Sequence, residues 1–317
     1  MSPITQLVRR ETPKMNLPLT LWEVGPRDGL QSEKKMLSVE SKRELVSALM
    51  EAGLRKIEVG SFVKAIPQLA DSDELVRSLA DHSLRKQTIL TGLIFNSKGL
   101  QRALAAGVDG VCIVAIPSDT LSQRNAGVGA SEGMKRALDL ADEAKSQGLF
   151  VRVDIATAWV CPFEGATPQE RIFEFAGEFL NKSQVDEVAL ADTIGHAHPL
   201  QVQSLFAMLV DKFGAAKLAA HFHDTQGLAL ANVIAAYTVG VRIFDSSLGG
   251  LGGCPFAPGA AGNLATEDLV LMAQKFSDAG VDQVSLAALW RIVESMEKQV
   301  GRSLGGRSRS WWWSSCS

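Results

Sequence analysis

Two histidines one residue apart, His221 and His223 in His221-Phe222-His223-Asp224, set the chemistry that this sequence can perform. On a β-strand, residues i and i+2 point to the same face. If that face looks into a cavity, the two imidazoles are a pair of metal ligands; on a packed or solvated face they are ordinary strand histidines. Asp28 and Asn263 can add two oxygens, with Asn263 the weaker candidate. Nitrogen and oxygen donors without a thiolate favour an octahedral ion, Mg2+ or Mn2+, over a closed zinc site, although zinc or cobalt could fill such a site in vitro. Arg27, beside Asp28, would set a fixed cation next to that ion. It either stabilises an enolate or oxyanion as it forms, or makes a plain ion pair with its neighbour. Glu58, inside an apolar run, is either a base or the partner that holds Arg27, and the second role is favoured.

The run Leu248-Gly249-Gly250-Leu251-Gly252-Gly253-Cys254-Pro255 has four glycines in five positions, too many for a helix or a packed strand. It reads as a mobile loop that brings the Cys254 thiol to a reacting carbon. A phosphate-cradling turn and a plain connector are the alternatives. His196 and His198 fall in a loop before a helix, as solvent-facing or pocket-rim groups. His82 reads as an exposed helix-end residue. Cys112 and Cys161 read as buried fillers, Cys161 near the rim of the pocket.

Residues so far apart need a scaffold that gathers them. From Leu19 the chain alternates short β-branched runs with stretches of helical period, the pattern of a parallel sheet with crossover helices. Eight strands are expected, at 20–24, 56–59, 88–94, 110–115, 150–156, 187–191, 218–222 and 242–246, each followed by a helix. Gly53, Gly107, Gly148 and Gly240 recur just before a strand, where glycine can end a helix in the left-handed conformation. Eight such units over roughly 250 residues predict an α/β fold, a (β/α)8 TIM barrel, spanning residues 19–284. An open doubly wound sheet would need a G-x-G-x-x-G turn after the first strand, and Gly25-Pro26-Arg27-Asp28-Gly29 is not one.

Residues 1–18 form an N-terminal extension, and 285–317 an extra C-terminal helix and tail. The helix carries Leu286, Leu289, Ile292, Val293 and Met296 on one face, suited to the outside of the barrel or to a partner subunit. The tail, with Trp311-Trp312-Trp313, reads as a partly disordered end with some aromatic docking, or else as an anchor for a neighbouring chain. In a barrel of this type the active site lies at the C-terminal ends of the strands. Glu23, the Arg27-to-Gln31 loop, Glu58, Thr157, Asp192-Thr193 and the two histidines all fall there.

A net charge of −3 with no basic block predicts no nucleic-acid binding. No apolar stretch approaches the roughly 18–20 residues of a membrane span, so no membrane association is expected. Four scattered cysteines argue against a disulfide framework, and the absence of a secretory signal points to the cytoplasm, with an organellar presequence as the lesser alternative.

Glu23-Val24-Gly25-Pro26-Arg27-Asp28-Gly29-Leu30-Gln31, Asp192-Thr193-Ile194-Gly195, His221-Phe222-His223-Asp224-Thr225 and the run from Ser247 to Gly259 together resemble the hydroxymethylglutaryl-CoA lyase family. The resemblance extends from about Leu19 to Leu271. It implies metal ligands Asp28, His221, His223 and Asn263, and Arg27 facing a thioester carbonyl. It also makes Cys254 the loop thiol and final acid, with His221 or a water as base and Glu58 and Asp192 as supporting polar groups. Gln31, Thr193 and Asn125 join Arg27 and Asp192 as substrate-contacting candidates. The implied partner is an acyl-CoA, and the implied assembly a homo-oligomer, dimer or tetramer. The implied reaction is a retro-Claisen type cleavage of 3-hydroxy-3-methylglutaryl-CoA to acetyl-CoA and acetoacetate. Departures at Lys64-Ala65-Ile66-Pro67-Gln68, at Ile116-Pro117-Ser118-Asp119-Thr120 and at Val160 keep a bulkier 3-alkyl substrate open. A condensing synthase of the same superfamily and a non-catalytic acyl-CoA-binding barrel are the other readings.

Overall fold

In the computed structural model, which describes residues 18–63, 66–253, 262–276 and 280–316, each expected apolar run is a strand. The strands are β1 Thr20–Glu23, β2 Lys56–Ser61, β3 Ile89–Ile94, β4 Gly110–Ala115, β5 Phe150–Ile155, β6 Val160–Cys161, β7 Gly165–Ala166, β8 Glu187–Asp192, β9 Leu218–Phe222 and β10 Ile243–Ser246. Eight of them close into a parallel barrel in the order β1-β10-β9-β8-β5-β4-β3-β2, with Glu23 opposite Ile57 at the closure. Strands β6 and β7 form a small antiparallel hairpin over the barrel mouth, an element the sequence patterning missed.

Side-chain alternation along β5 shows how the barrel is built. Val151, Val153 and Ile155 are fully buried among the apolar residues under the helices, while Arg152 and Asp154, on the opposite face, reach into the barrel interior. The surrounding helices are α1 Val39–Glu51, α2 Ser72–Ser78, α3 Ser97–Ala106, α4 Asp119–Ala126, α5 Ala130–Ser146, α6 Gln169–Lys182, α7 Pro199–Phe213, α8 Ala229–Thr238 and α9 Thr266–Ala273. Helix α4 was not foreseen. Ser38 caps α1, Asn96 caps α3 and Ser118 caps α4, each side chain accepting from a backbone N–H in the first turn. Gly53, Gly107, Gly148 and Gly240 have φ of +104°, +90°, +77° and +112°, the left-handed geometry their recurrence predicted.

Helix α10, Leu286–Val300, lies on the outside of the barrel against α1 and α9. The tail shows the aromatic docking that was expected, but on a helix rather than a partly disordered end. Arg309–Cys316 forms a helix, α11, and the Trp312 and Trp313 rings sit 5.9 Å from that of Trp290 on α10. Two of the three tail tryptophans therefore dock on their own chain. Among the described residues no helix is long and apolar enough to cross a membrane.

Candidate metal centre at the barrel mouth

Strand β1 runs into a single π-helical turn, Gly25–Gly29. The Val24 carbonyl accepts from the N–H groups of Arg27, Asp28 and Gly29 at 3.1, 2.8 and 3.2 Å, which turns both side chains, Arg27 and Asp28, into the barrel mouth. Close packing explains the glycine that ends it: a Cβ on Gly29 would lie 2.7 Å from Ser247 Oγ. Beneath the turn, the wholly buried Glu23 is a tie rather than a reactive group. Its Oε1 accepts from the N–H groups of Gly25 (2.7 Å) and Leu248 (2.9 Å), and its Oε2 from Thr266 Oγ1 (2.6 Å). Burial pushes its pKa up to about 7 against the pull of those bonds.

Asp28, His221 and His223 each offer a ligand atom within 4.8 Å of the others. The histidine rings lie 5.2 Å apart on one side of the chain, as the i, i+2 spacing requires. Asn263 joins them through an isolated bridge to His223, and its Nδ2 donates to Asp28 Oδ2 at 2.8 Å. Its buried Oδ1 has no hydrogen-bond partner. An orphaned amide oxygen beside a carboxylate and two imidazoles is a donor set that a hard divalent cation fits. Burial alone would raise the Asp28 pKa; the charges of Arg27 and the two histidines outweigh it and hold the carboxyl well below its usual range.

Arg27 is clamped on two sides. Nη1 is 2.6 Å from Asp28 Oδ1 and Nη2 is 2.7 Å from Glu58 Oε2, while Nε is buried without a partner. The ion pair of the second sequence alternative is thus present, and it leaves Nε unengaged. Burial raises the Glu58 pKa to about 7 despite Arg27.

Sequence reasoning overlooked what lies directly below. His221 Nδ1 is 2.9 Å from Asp245 Oδ2. Asp245 in turn receives Arg152 Nη2 on both oxygens at 2.7 Å, and Arg152 Nε reaches Asp154 Oδ1 at 2.8 Å. Because a carboxylate accepts, Nδ1 carries the proton and His221 is left with Nε2 as its ligand atom. Burial opposes charge on this imidazole, but Asp245 outweighs it and raises the His221 pKa. The signal was present in the sequence: Arg152 and Asp154 stand at i and i+2 in an apolar strand, as His221 and His223 do.

A cavity of about 400 Å³ opens over these groups, lined by Arg27, Asp28, Gln31, Asn125, Asp154, Thr193, His221, His223 and Gly253, with an apolar side that includes Leu93, Phe95 and Val114. Gln31 adds a buried, unpartnered Oε1. Thr193 faces the cavity although its Oγ1 already accepts from Thr157 N–H at 2.8 Å. Asp192 is not brought to the cavity. Its carboxylate accepts from the N–H groups of His196 and Ala197, 3.0 Å each, and so braces the loop leaving β8. His196 and His198 are exposed. His82 is more buried than expected, its Nδ1 accepting from Leu84 N–H at 3.2 Å. Cys112 and Cys161 are buried. Cys254 lies outside the described residues; in the glycine run before it, Leu248–Gly250 form a 3-10 turn in which Leu248, like the Leu251 that follows, is fully buried.

Comparison with known proteins identifies relatives over nearly the whole chain. A hydroxymethylglutaryl-CoA lyase of Bacillus subtilis is 36% identical over 92% of this chain and 96% of its own. A Pseudomonas aeruginosa protein named 3-hydroxy-3-isohexenylglutaryl-CoA/hydroxymethylglutaryl-CoA lyase is 38% identical over 93% and 97%. The solved structure of an HMG-CoA lyase from A. baumannii, in complex with coenzyme A and 3-methylmalate, superposes with a TM-score of 0.85 at 35% identity, covering 92% of this chain and 94% of that one. The HMGL-like family model matches residues 18–294, the whole barrel and more than half of its outer helix, and the chain belongs to the HMGL-like family.

Proposed function

We propose that this protein cleaves 3-hydroxy-3-methylglutaryl-CoA to acetyl-CoA and acetoacetate, with Mg2+ or Mn2+ held by Asp28, His221, His223 and Asn263. The observation that carries the reading is the convergence of three ligand side chains next to an arginine with an unpartnered Nε, under a cavity, in a chain of this family. A divalent cation at this position supplies a Lewis acid that lowers the pKa of a bound hydroxyl. The remaining chemistry falls to the side chains. The 3-hydroxyl loses its proton, the bond between C2 and C3 breaks with its electron pair passing to the thioester, and C2 takes up a proton.

Arg27, which lines the cavity, is the donor for the thioester oxygen, where the negative charge collects; a fixed donor of this kind is often worth ~3–4 kcal/mol. Glu58 and Asp28 hold the guanidinium in place for it. With Nδ1 of His221 tied to Asp245, ligation and proton abstraction compete for Nε2, which favours a site water as the base. Gly253, the last described residue before Cys254, lines the cavity, in keeping with Cys254 as the final proton donor. A second cavity of about 490 Å³ shares Phe95, Val114, Ile116 and Asn125 with the first and gives an acyl-CoA room to extend. Its apolar wall also favours, as a second reading, a longer 3-alkyl group on the same glutaryl-CoA core, the kind of substrate for which the P. aeruginosa relative is named.

The test is acetoacetate release from hydroxymethylglutaryl-CoA after chelation and after Mg2+ or Mn2+ is restored, run beside longer 3-alkyl homologues. No turnover of any of them overturns the proposal. A cytoplasmic homo-oligomer, dimer or tetramer, belongs to the same reading, and light scattering reads the assembly.

A further inference from the structure

The C-terminal segment that follows α10 does not simply leave the barrel. After Gly301 (φ +77°) the chain turns back along the rim of the barrel and touches the segments that follow β1, β9 and β10. Arg302 pairs with Glu33, just beyond the Arg27-to-Gln31 segment. Gly305 N–H donates to the Gly249 carbonyl at 2.9 Å. Glu267, fully buried, joins the two segments a second time: one oxygen accepts from Gly249 N–H at 3.0 Å and the other from Gly306 N–H at 2.9 Å. Asp268 accepts from the N–H groups of Arg307 (2.5 Å) and Ser308 (2.9 Å). Arg307 Nε then reaches Asp224 Oδ2, next in sequence to His223, at 2.9 Å.

We infer that Arg302 to Arg309 is a strap that sets the loops of the site, with Arg302 and Arg307 as positioning residues acting through Glu33 and Asp224. The inference rests on the proposed lyase reading for its kinetic consequence, but not for its structural one. The strap is anchored independently of the site, by Trp312 stacked on Trp290 and Trp313 set edge-on to it, and by Glu297, which accepts from Leu304 N–H at 2.7 Å and pairs with Arg309. Loop placement therefore has a fixed reference on the outer helix. Arg307 itself is largely exposed, so its ion pair adds little to folding. Its effect falls on geometry, where a displacement of about 1 Å can cost as much as ~100-fold in rate.

The experiment is Arg302→Ala/Arg307→Ala in the full-length protein, with Arg302→Lys/Arg307→Lys as the conservative rescue. The expected result has three parts. Amide hydrogen exchange speeds up in the Leu248–Gly253 peptide while the thermal midpoint moves little. Mn2+ binding weakens several-fold. With hydroxymethylglutaryl-CoA, kcat falls ~10-fold with a smaller change in KM, and the lysine variant recovers part of it. Unchanged exchange, unchanged Mn2+ affinity and unchanged kcat in the double alanine variant overturn the strap, as does a loss that merely tracks the unfolded fraction. Truncation after Ser303 provides a second test, and a folded truncate with wild-type Mn2+ affinity and loop exchange also overturns it. A wild-type protein inactive on every acyl-CoA offered refutes the lyase reading alone, because exchange and Mn2+ binding report on the strap without it.

Discussion

Asp245→Asn separates the metal ligands from the apparatus that holds them. In the native protein the Asp245 carboxylate accepts from His221 Nδ1–H at 2.9 Å and is itself fixed by Arg152 Nη2 at 2.7 Å on each oxygen. An asparagine keeps the shape but has one acceptor oxygen and one donor nitrogen. Arg152 draws the oxygen, which turns the amide NH2 toward His221 and favours the tautomer that carries its proton on Nε2. That tautomer has no lone pair to offer on Nε2. Losing such a carboxylate behind a metal-bound histidine typically weakens metal affinity ~10- to 100-fold, equivalent to about 1.4–2.7 kcal/mol. Removing one partner of a buried ion pair also threatens the fold, but Asp154 and Glu187 remain beside Arg152 and share its charge. The assay is Mn2+ titration followed by electron paramagnetic resonance at fixed pH, on protein shown to be folded by circular dichroism. A folded variant whose Mn2+ dissociation constant stays within about twofold of wild type refutes the assignment of the His221 tautomer.

Arg27→Lys keeps the positive charge and removes the planar fork, leaving nothing at the Nε position. We expect kcat to fall ~100- to 1,000-fold with a far smaller change in KM, measured by acetoacetate release. Cys254→Ser is expected to depress kcat much more than substrate affinity, and equal losses in both count against a role in a chemical step. Glu23→Gln tests the buried carboxyls. A folded-state pKa of about 7 against an ordinary value of 4.5 means that the native state binds the proton more tightly than the unfolded chain. Stability is therefore lost as pH rises from about 4.5 to about 7, by roughly 3 kcal/mol for Glu23 alone. The metal-free protein should melt at progressively lower temperature between pH 5 and pH 8, and the glutamine variant should show a shallower slope in calorimetry. A variant with the wild-type slope removes Glu23 from the explanation.

The barrel was legible because its signals are local. Apolar runs of four to seven residues, four of them introduced by a glycine that ends the preceding helix, need no knowledge of what lies across the barrel. His221 and His223 were legible for the same reason, since strand alternation alone puts them on one face. Asp245 and Arg152 were missed because their meaning lies in partners 24 and 93 residues away. Asp192 misled in the opposite direction: a carboxylate at a strand end reads as a substrate contact until its two backbone donors, four and five residues on, are seen. The tail misled through composition. Glycine, serine and arginine suggest a loose end, yet Gly306 approaches Asp268 so closely that a Cβ would collide with its Oδ2, and Gly305, at φ +107°, packs tightly against Trp290.

The interior of this barrel is physically costly. Positions usually filled by branched aliphatic side chains are held here by Arg152, Asp245, Glu187 and Glu58, all nearly or fully buried. Replacing a buried ionic cluster of this kind with well-packed apolar residues is often neutral or stabilising, so stability does not account for it. Position does. Arg152 links Glu187 at the barrel floor to Asp245 beneath His221 and to Asp154 at the cavity wall, while Glu58 meets Arg27 from the neighbouring strand. Arg152 thus fixes the carboxylates around it, and the uppermost groups, Arg27, Asp154 and His221, face the cavity. Removing Arg152 should therefore loosen His221 and Asp154 together, whereas removing either of those leaves the rest of the stack in register.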